Sequence, residues 1–233
     1  MEWSALCRND VPLCQMRDER HNLVLRDVDE ASFDLSRVHA QGWLEKLGAK
    51  LVAHSLTPTG STVVRSLCFE RSEIETLKDR VKRGPAWHKF QEKNWPLSAH
   101  DVVTAAIWRA LAAVHHAEHQ SQLCEDWPLM IVLNWRQCTN RVTEEFMGNA
   151  TTHPGCSCSL QQVLEADFSE LAFWVRDVTM SYSAADCEHL INYMNFKQYC
   201  TADGPRSLAS LGTPFIPGRG LFLSNLTKFD FYD

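Results

Sequence analysis

The sequence predicts an α/β fold in which a mixed sheet is flanked by helices. Alternating or continuous apolar stretches indicate short strands at 62–69, 129–133 and 220–224. Amphipathic segments that follow N-cap residues indicate helices between these strands. The sequence contains no internal repeat and no apolar run of about 18 residues, so we expect neither a repeat architecture nor a membrane-spanning helix.

Length and composition indicate an ordinary globular protein. The chain has 233 residues, of which 45% are hydrophobic and 22% are charged, so the apolar side chains suffice for a core. The formal net charge is −6, and no basic cluster exceeds Lys82-Arg83, which argues against a nucleic-acid partner. Nine scattered cysteines without a secretory leader predict reduced thiols in a cytoplasmic chain, and we expect a monomer.

The first predicted helix lies in the middle of the N-terminal half. Ser72-Glu73-Ile74-Glu75 has the pattern of a capping box, which predicts a helix that runs to about Lys82. The stretch 84–97 begins with Gly-Pro, and we predict that it forms a loop.

The helix that follows Ser98 is the clearest predicted element, and it should run to about Gln120. Five apolar residues at helical spacing predict the stripe that faces the core: Val103, Ile107, Ala110, Leu111 and Val114. Asp101 lies in the first turn, where a carboxylate is favourable at the positive end of the helix, so we expect its role to be local.

The end of this helix carries an H-x-x-E-H pattern at 115–119, which is typical of inverted zinc peptidases. His115 and His119 could bind zinc from one helix face, with Glu118 activating a water. The predicted core stripe, however, leaves both histidines away from the core, and no third ligand is evident downstream. We interpret the pattern as a solvated helix end and keep a zinc hydrolase as an alternative.

Cys156 and Cys158 are the closest pair of cysteines in the sequence. A metal or redox site would use both thiols, but two sulfurs alone make a poor zinc site, and no C-x-x-C accompanies them. The preferred interpretation is a loop that precedes Ser159, the N-cap of a further helix. Two more helices are predicted at 171–180 and 184–199.

Four blocks in the second half of the chain together resemble the BAHD acyltransferases. Members of this family are the acyl-CoA-dependent O- and N-acyltransferases of plant and fungal secondary metabolism, including the trichothecene O-acetyltransferases. The blocks are S-A-H-D-V-V-T-A-A-I-W-R-A at 98–110, N-W-R with F-M-G-N-A at 134–150, L-A-F-W-V-R with I-N-Y at 171–193, and G-L-F-L-S-N-L with F-Y-D at 220–233. They follow the order of the family.

The resemblance implies a chloramphenicol-acetyltransferase-like fold, in which two α/β domains face each other across a tunnel. Acyl-CoA would enter the tunnel from one side as a co-substrate, and a small alcohol or amine acceptor from the other; no cofactor is expected. Residues 1–97 would then be a remnant of the N-terminal acyltransferase domain with the crossover loop. Residues 98–233 would be an incomplete C-terminal domain.

The resemblance also implies which residues contact acyl-CoA. Arg136 could face the phosphates of CoA, although a structural bond that ties a loop is the preferred interpretation. Gly148 and Asn149 would lie near the channel, with a plain turn as the alternative. Ser224 corresponds to the family's threonine beside the CoA arm, where a hydroxyl suits the thioester carbonyl. Asn225 departs from the family's serine, so the acceptor pocket is expected to differ.

Two signature motifs of the family are absent from the sequence. None of the ten histidines is followed by Asp at the fourth position, so no H-x-x-x-D supplies a general base, and D-F-G-W-G is missing too. We therefore expect an internal fragment, with the base encoded before Met1, that shows negligible transfer on its own. A catalytically dead module that still binds CoA is the alternative function.

Overall fold

The computed structural model describes residues 64–119, 122–134, 136, 150–199 and 219–225, without the side chains of 194–199. This part of the chain combines helices with short strands of one mixed sheet, which confirms the predicted mixed α/β class. The elements are α1 (Arg71–Arg83), α2 (Trp87–Glu92), α3 (Ala99–His119), β1 (Leu129–Asn134), β2 (Thr151–Thr152), β3 (Gly155–Cys156), α4 (Leu160–Glu165), α5 (Phe168–Met180), α6 (Ala184–Tyr199) and β4 (Leu221–Ser224).

Strand β1 pairs with every other strand of the described sheet. β4 runs parallel to it, whereas β2 and β3 run antiparallel. The registers Leu133 with Thr152 and Leu129 with Cys156 continue one another, so β2 and β3 lie along the same side of β1. Pro154 separates them, and its carbonyl still accepts a hydrogen bond from the Ile131 N–H at 3.0 Å. Proline has no N–H for a further partner, as expected of an edge strand.

The core lies between the helices and one face of this sheet. Helix α5 packs against both α3 and the sheet, and α1 packs against α3 and α5. The largest fully buried side chains come from all of these layers: Trp108, Phe90, Leu129, Ile131, Leu160 and Leu171. One helix layer and one strand layer therefore share a single core.

The predicted core stripe of α3 is wrong. The buried face carries Val102, Ala105, Trp108 and Ala112, while the side chains of Leu111 and Val114 are 42% and 52% exposed. The alanines allow neighbouring helices to approach closely, and Trp108 packs edge-on against Trp174 at a centroid distance of 6.3 Å. Apolar residues recur at helical spacing on two faces of α3. Periodicity therefore could not tell which face is buried, and the prediction chose the face with more aliphatic side chains.

The segment 64–70 also differs from its prediction. It has no regular secondary structure, and Val64 and Leu67 are 84% and 69% exposed. Alternation at 62–69 predicted a strand, but a strand is stable only where a neighbour accepts and donates its backbone hydrogen bonds. Residues 62 and 63 lie outside the described residues.

Helix α1 begins slightly earlier than predicted, because its capping box involves Glu70 and not Ser72. The N–H of Glu70 donates to Glu73 Oε2 at 2.8 Å, which makes Arg71 the first helical residue. The predicted loop at 84–97 contains a short helix, α2. Burial of Phe90 against Phe173 of α5, with ring centroids 5.5 Å apart, accounts for that helix.

Most other element predictions are confirmed. Helix α3, strands β1 and β4, and helices α5 and α6 all lie where apolar pattern and cap residues predicted them. Ser159 caps α4: the N–H of Gln162 donates to Ser159 Oγ at 3.2 Å, and the N–H of Ser159 donates to Gln162 Oε1 at 2.8 Å. This reciprocal pair is a capping box, and it confirms Ser159 as the predicted N-cap.

A buried ion pair joins α3 to α5. Asp101 is 1% exposed, and its Oδ2 accepts hydrogen bonds from Arg176 Nε at 3.1 Å and from Arg176 Nη2. The N–H and Oγ of Ser98 donate to the same oxygen at 2.7 and 2.9 Å. Burial alone would raise the pKa of Asp101, but the His100 side chain, Ser98 and the charge of Arg176 together lower it. Asp101 is therefore not only a local cap, as predicted, but a link between helices.

Candidate functional site

Strands β1 and β4 are parallel, so their carboxyl ends meet at one edge of the sheet. Ser224 is in register with Val132, which places Ser224 and Asn225 beside the end of β1. Asn134 and Arg136 lie at that end too. The block that contains Asn134 and the block that contains Ser224 are thus neighbours at the carboxyl ends of two parallel strands. Open α/β sheets bind ligands at this place. We call the four residues Asn134, Arg136, Ser224 and Asn225 the carboxyl edge.

Arg136 is oriented by Asn134. The backbone N–H and the Nη1 of Arg136 both donate to Asn134 Oδ1, at 3.1 and 3.2 Å. Partial burial lowers the pKa of the guanidinium, yet arginine remains charged at neutral pH. The asparagine of the N-W-R block therefore holds a cation beside the end of β1. This contact is local, and whether Arg136 ties a loop or faces CoA stays a prediction.

The position of Ser224 depends on Gly220, the residue that precedes β4. Gly220 has a positive φ of 80°, and a Cβ on it would overlap the carbonyl oxygen of Pro128. The same carbonyl accepts a hydrogen bond from the Leu221 N–H at 2.8 Å, which sets the start of the strand. Arg219 adds an ion pair to Glu125, with Nε 2.6 Å from Oε1. Only glycine adopts the positive φ at position 220 readily and has no Cβ to overlap the Pro128 carbonyl.

Ser224 lies on the face of the sheet opposite the helices. Leu221 packs against the core, so the alternation of a strand puts Phe222 and Ser224 on the other face. Both are exposed there, and Phe222 retains 39% of its accessible surface. This face therefore presents a hydroxyl and an apolar ring side by side.

His153 belongs to the same face, although the sequence analysis assigned it no role. Its ring packs against Phe222 with centroids 5.4 Å apart. Burial lowers the pKa of His153, so the imidazole is neutral at neutral pH and can accept a proton or a hydrogen bond. In the sequence, His153 stands between Thr152 and Pro154. The sequence analysis did not predict the edge strand to which this stretch belongs.

Gly148 and Asn149 lie outside the described residues. The chain is described again from Ala150, which is buried, and Thr151 is paired with Asn134. The described chain therefore resumes at Ala150, beside the pair of Thr151 and Asn134, and the predicted glycine and asparagine precede this point in the sequence. Their contact with acyl-CoA stays a prediction.

The H-x-x-E-H pattern does not form a wholly solvated helix end. The buried face of α3 continues to His115, whose side chain is only 15% exposed and whose ring lies 4.6 Å from that of Trp127. His115 Nε2 is 3.6 Å from Glu125 Oε2, while His119 is exposed. Among the residues that the structure describes, no three His, Cys, Asp or Glu side chains could hold a metal ion. The zinc hypothesis therefore gains no support from this region.

The helices in the described ranges include none that is long and apolar enough to cross a bilayer. No protein-family model and no curated protein matches the sequence.

Comparison with solved structures identifies the fold as that of the BAHD acyltransferases, which confirms the resemblance at the level of the fold. TRI101 of F. graminearum, complexed with coenzyme A and deoxynivalenol, matches with a TM-score of 0.60 at 17% identity, over 97% of this chain and 47% of that chain. TRI101 of F. sporotrichioides, complexed with coenzyme A and T-2, gives 0.58 at 14% identity, over 95% and 46%. Vinorine synthase gives 0.51 at 16% identity, over 96% and 42%. The chain thus spans about half the length of these proteins.

Proposed function

We propose that this chain is part of a BAHD-type acyltransferase of secondary metabolism. The reaction transfers an acyl group from acyl-CoA to the hydroxyl or amine of a small acceptor. The observation that supports this proposal is the carboxyl edge: Ser224 ends β4, and Arg136 follows the end of the parallel strand β1, in two blocks that resemble the family. Two structures with the same fold hold coenzyme A together with a second small molecule.

Each residue of the carboxyl edge has a chemical role in this proposal. Ser224 is exposed at the end of β4, where its hydroxyl can donate to the thioester carbonyl and stabilise the oxyanion that forms on it. Arg136, which Asn134 orients, supplies positive charge for a CoA phosphate. The resemblance to the family adds Asn225, Gly148 and Asn149 to the residues that are proposed to contact acyl-CoA or the acceptor.

The acceptor must also lose a proton, and the sequence contains no H-x-x-x-D to take it. A general base contributes about 10²–10⁴ to the rate of such a reaction. We therefore expect this chain alone to bind CoA without measurable transfer. The missing motif also favours a second candidate function, a module that binds CoA and has no catalytic role.

Calorimetric titration of the folded chain with CoA tests the proposal. Ser224→Trp should block the carboxyl edge without disturbing the core, because Ser224 is exposed, and should weaken binding at least about tenfold. Ser157→Trp is the matched control at another exposed serine and should leave binding unchanged. Absence of binding at millimolar CoA, or equal affinity in Ser224→Trp, would contradict the proposal.

A further inference from the structure

Cys156 and Cys158 form a close pair of thiols that the proposed acyl transfer does not use. Their sulfur atoms are 3.3 Å apart, with Cys156 half-buried and Cys158 buried. Both residues are free cysteines. The arrangement places two nucleophiles of the same kind in contact, which single cysteines such as Cys68 or Cys124 do not provide.

The backbone holds the two thiols together. Cys156 is in register with Leu129 of β1, and the carbonyl of Cys158 accepts a hydrogen bond from the Trp127 N–H at 2.7 Å. The bridge between Asp126 and Ser159 continues this pairing to the start of α4. Side chains at i and i+2 of an extended segment lie on the same side, so the fixed backbone keeps the sulfurs adjacent.

We propose that Cys156 and Cys158 are a modification site at which a hydroperoxide converts the two thiols into a reversible intramolecular disulfide. The oxidant must be small, because Cys158 is 7% exposed. A hydroperoxide meets this condition, whereas a bulky peptide disulfide does not. To form the bond, the two sulfur atoms must approach from 3.3 Å to about 2.0 Å.

The protonation of the pair fits this chemistry. The hydrogen bond from Cys156 lowers the pKa of Cys158, with burial opposing it. The same hydrogen bond, together with burial and the charge of Asp177, raises the pKa of Cys156. Cys158 is therefore the more acidic of the two thiols and the one that attacks as a thiolate, and Cys156 keeps its proton until the second step.

The reaction has two balanced steps. The thiolate of Cys158 attacks one peroxide oxygen and breaks the O–O bond, which gives a sulfenic acid and, after protonation, water or an alcohol. The sulfur of Cys156 then attacks the sulfenic sulfur, forms the S–S bond and expels hydroxide, which takes up the Cys156 proton as water. The two thiols lose two electrons, and the hydroperoxide gains them.

Mass spectrometry of the whole chain tests this site, because trypsin releases residues 142–176 as one peptide in which these are the only cysteines. The reduced chain is treated with hydrogen peroxide, alkylated and digested. We expect this peptide to lose two hydrogen atoms, to escape alkylation and to recover both thiols after dithiothreitol. If both cysteines remain open to alkylation, or are oxidised separately to sulfinic acids, the proposal is overturned.

Two variants test the order of the steps and protect against a folding artefact. In Cys156→Ser, a dimedone trap should label Cys158, because its sulfenic acid has no partner; absence of that label in the folded variant overturns the proposal. Cys187→Ser, at another buried cysteine, is the control, and it should form the disulfide as the original chain does. Circular dichroism of each variant establishes that it is folded.

Discussion

Asp101 and Arg176 lie 75 positions apart in the chain and form a buried ion pair between α3 and α5. Asp101 belongs to the block that begins at Ser98, and Arg176 ends the block that begins at Leu171. Each block is a weak signal on its own. The ion pair links the two blocks, since either charge without the other would lose its charged partner in a buried environment.

The first prediction concerns removal of one charge from this pair. Asp101→Asn or Arg176→Met should each lower the free energy of unfolding by about 3–5 kcal/mol, because the remaining charge is left buried. The double variant should lose less than the sum of the two, as expected for residues in contact. Urea denaturation of the four chains measures both effects.

The exposed pair Asp79–Lys82 on α1 provides the matched control, with Nζ 3.1 Å from Oδ1 and both side chains about half exposed. Asp79→Asn and Lys82→Met should each change the free energy of unfolding by about 0–1 kcal/mol. Equal losses at the exposed and buried pairs would show that Asp101 and Arg176 do not act as described.

The second prediction is a pH dependence that follows from the lowered pKa of Asp101. The stabilising effect is complete above the unfolded-state pKa, near 3.8, and is lost as the pH falls through the lower folded-state value. In that window the unfolded chain binds more protons than the folded chain. Thermal unfolding between about pH 5 and 2 should therefore show a falling melting temperature.

Asp101→Asn should flatten this dependence without removing it. Asp167 keeps part of the slope, because hydrogen bonds from Ser169 lower its pKa as well. An unchanged slope in Asp101→Asn would mean that this carboxyl does not contribute to acid unfolding.

The third prediction concerns Gly220→Ala. A side chain at a positive φ costs about 1–2 kcal/mol, and the overlap with the Pro128 carbonyl adds to this. The variant should be less stable by at least that amount, and β4 should shift relative to β1, which would weaken CoA binding. A variant with unchanged stability and CoA affinity would refute the account of how Ser224 is positioned.

The fourth prediction is that His153 titrates below the ordinary value of 6.5, because burial lowers its pKa. A proton NMR titration of the histidine C–H signals gives the midpoint. Phe222→Ala uncovers the ring and should raise the midpoint toward 6.5. Val114→Ala, at an exposed aliphatic residue of α3, should leave it unchanged; a shift in both variants would point to a global effect.

The sequence was sufficient for elements whose signals are local. The cap at Ser159 and the apolar runs of β1 and β4 depend on neighbours within a few residues, and the structure confirms them. The buried face of α3 could not be predicted in this way. Ala105 and Ala112 are buried because other helices come close to them, and no pattern within α3 records that approach.

In the candidate site, too, some residues could be predicted from the sequence and others could not. The resemblance selected Arg136 and Ser224, and the parallel pairing of β1 and β4 then brought them to one edge. His153 was missed because β2 and β3 have two residues each, and Pro154 between them disguises the edge strand. The partner of Asp101 was missed because it lies in a different helix.

Hydrogen exchange with and without CoA tests the central claim most directly, namely that the carboxyl edge binds acyl-CoA. Mass spectrometry resolves the exchange by segment. We predict that saturating CoA slows exchange in peptides that contain residues 131–136 and 221–225, and leaves α1 unchanged. Protection confined to α1 and α3, or no protection in any segment at millimolar CoA, would contradict the account.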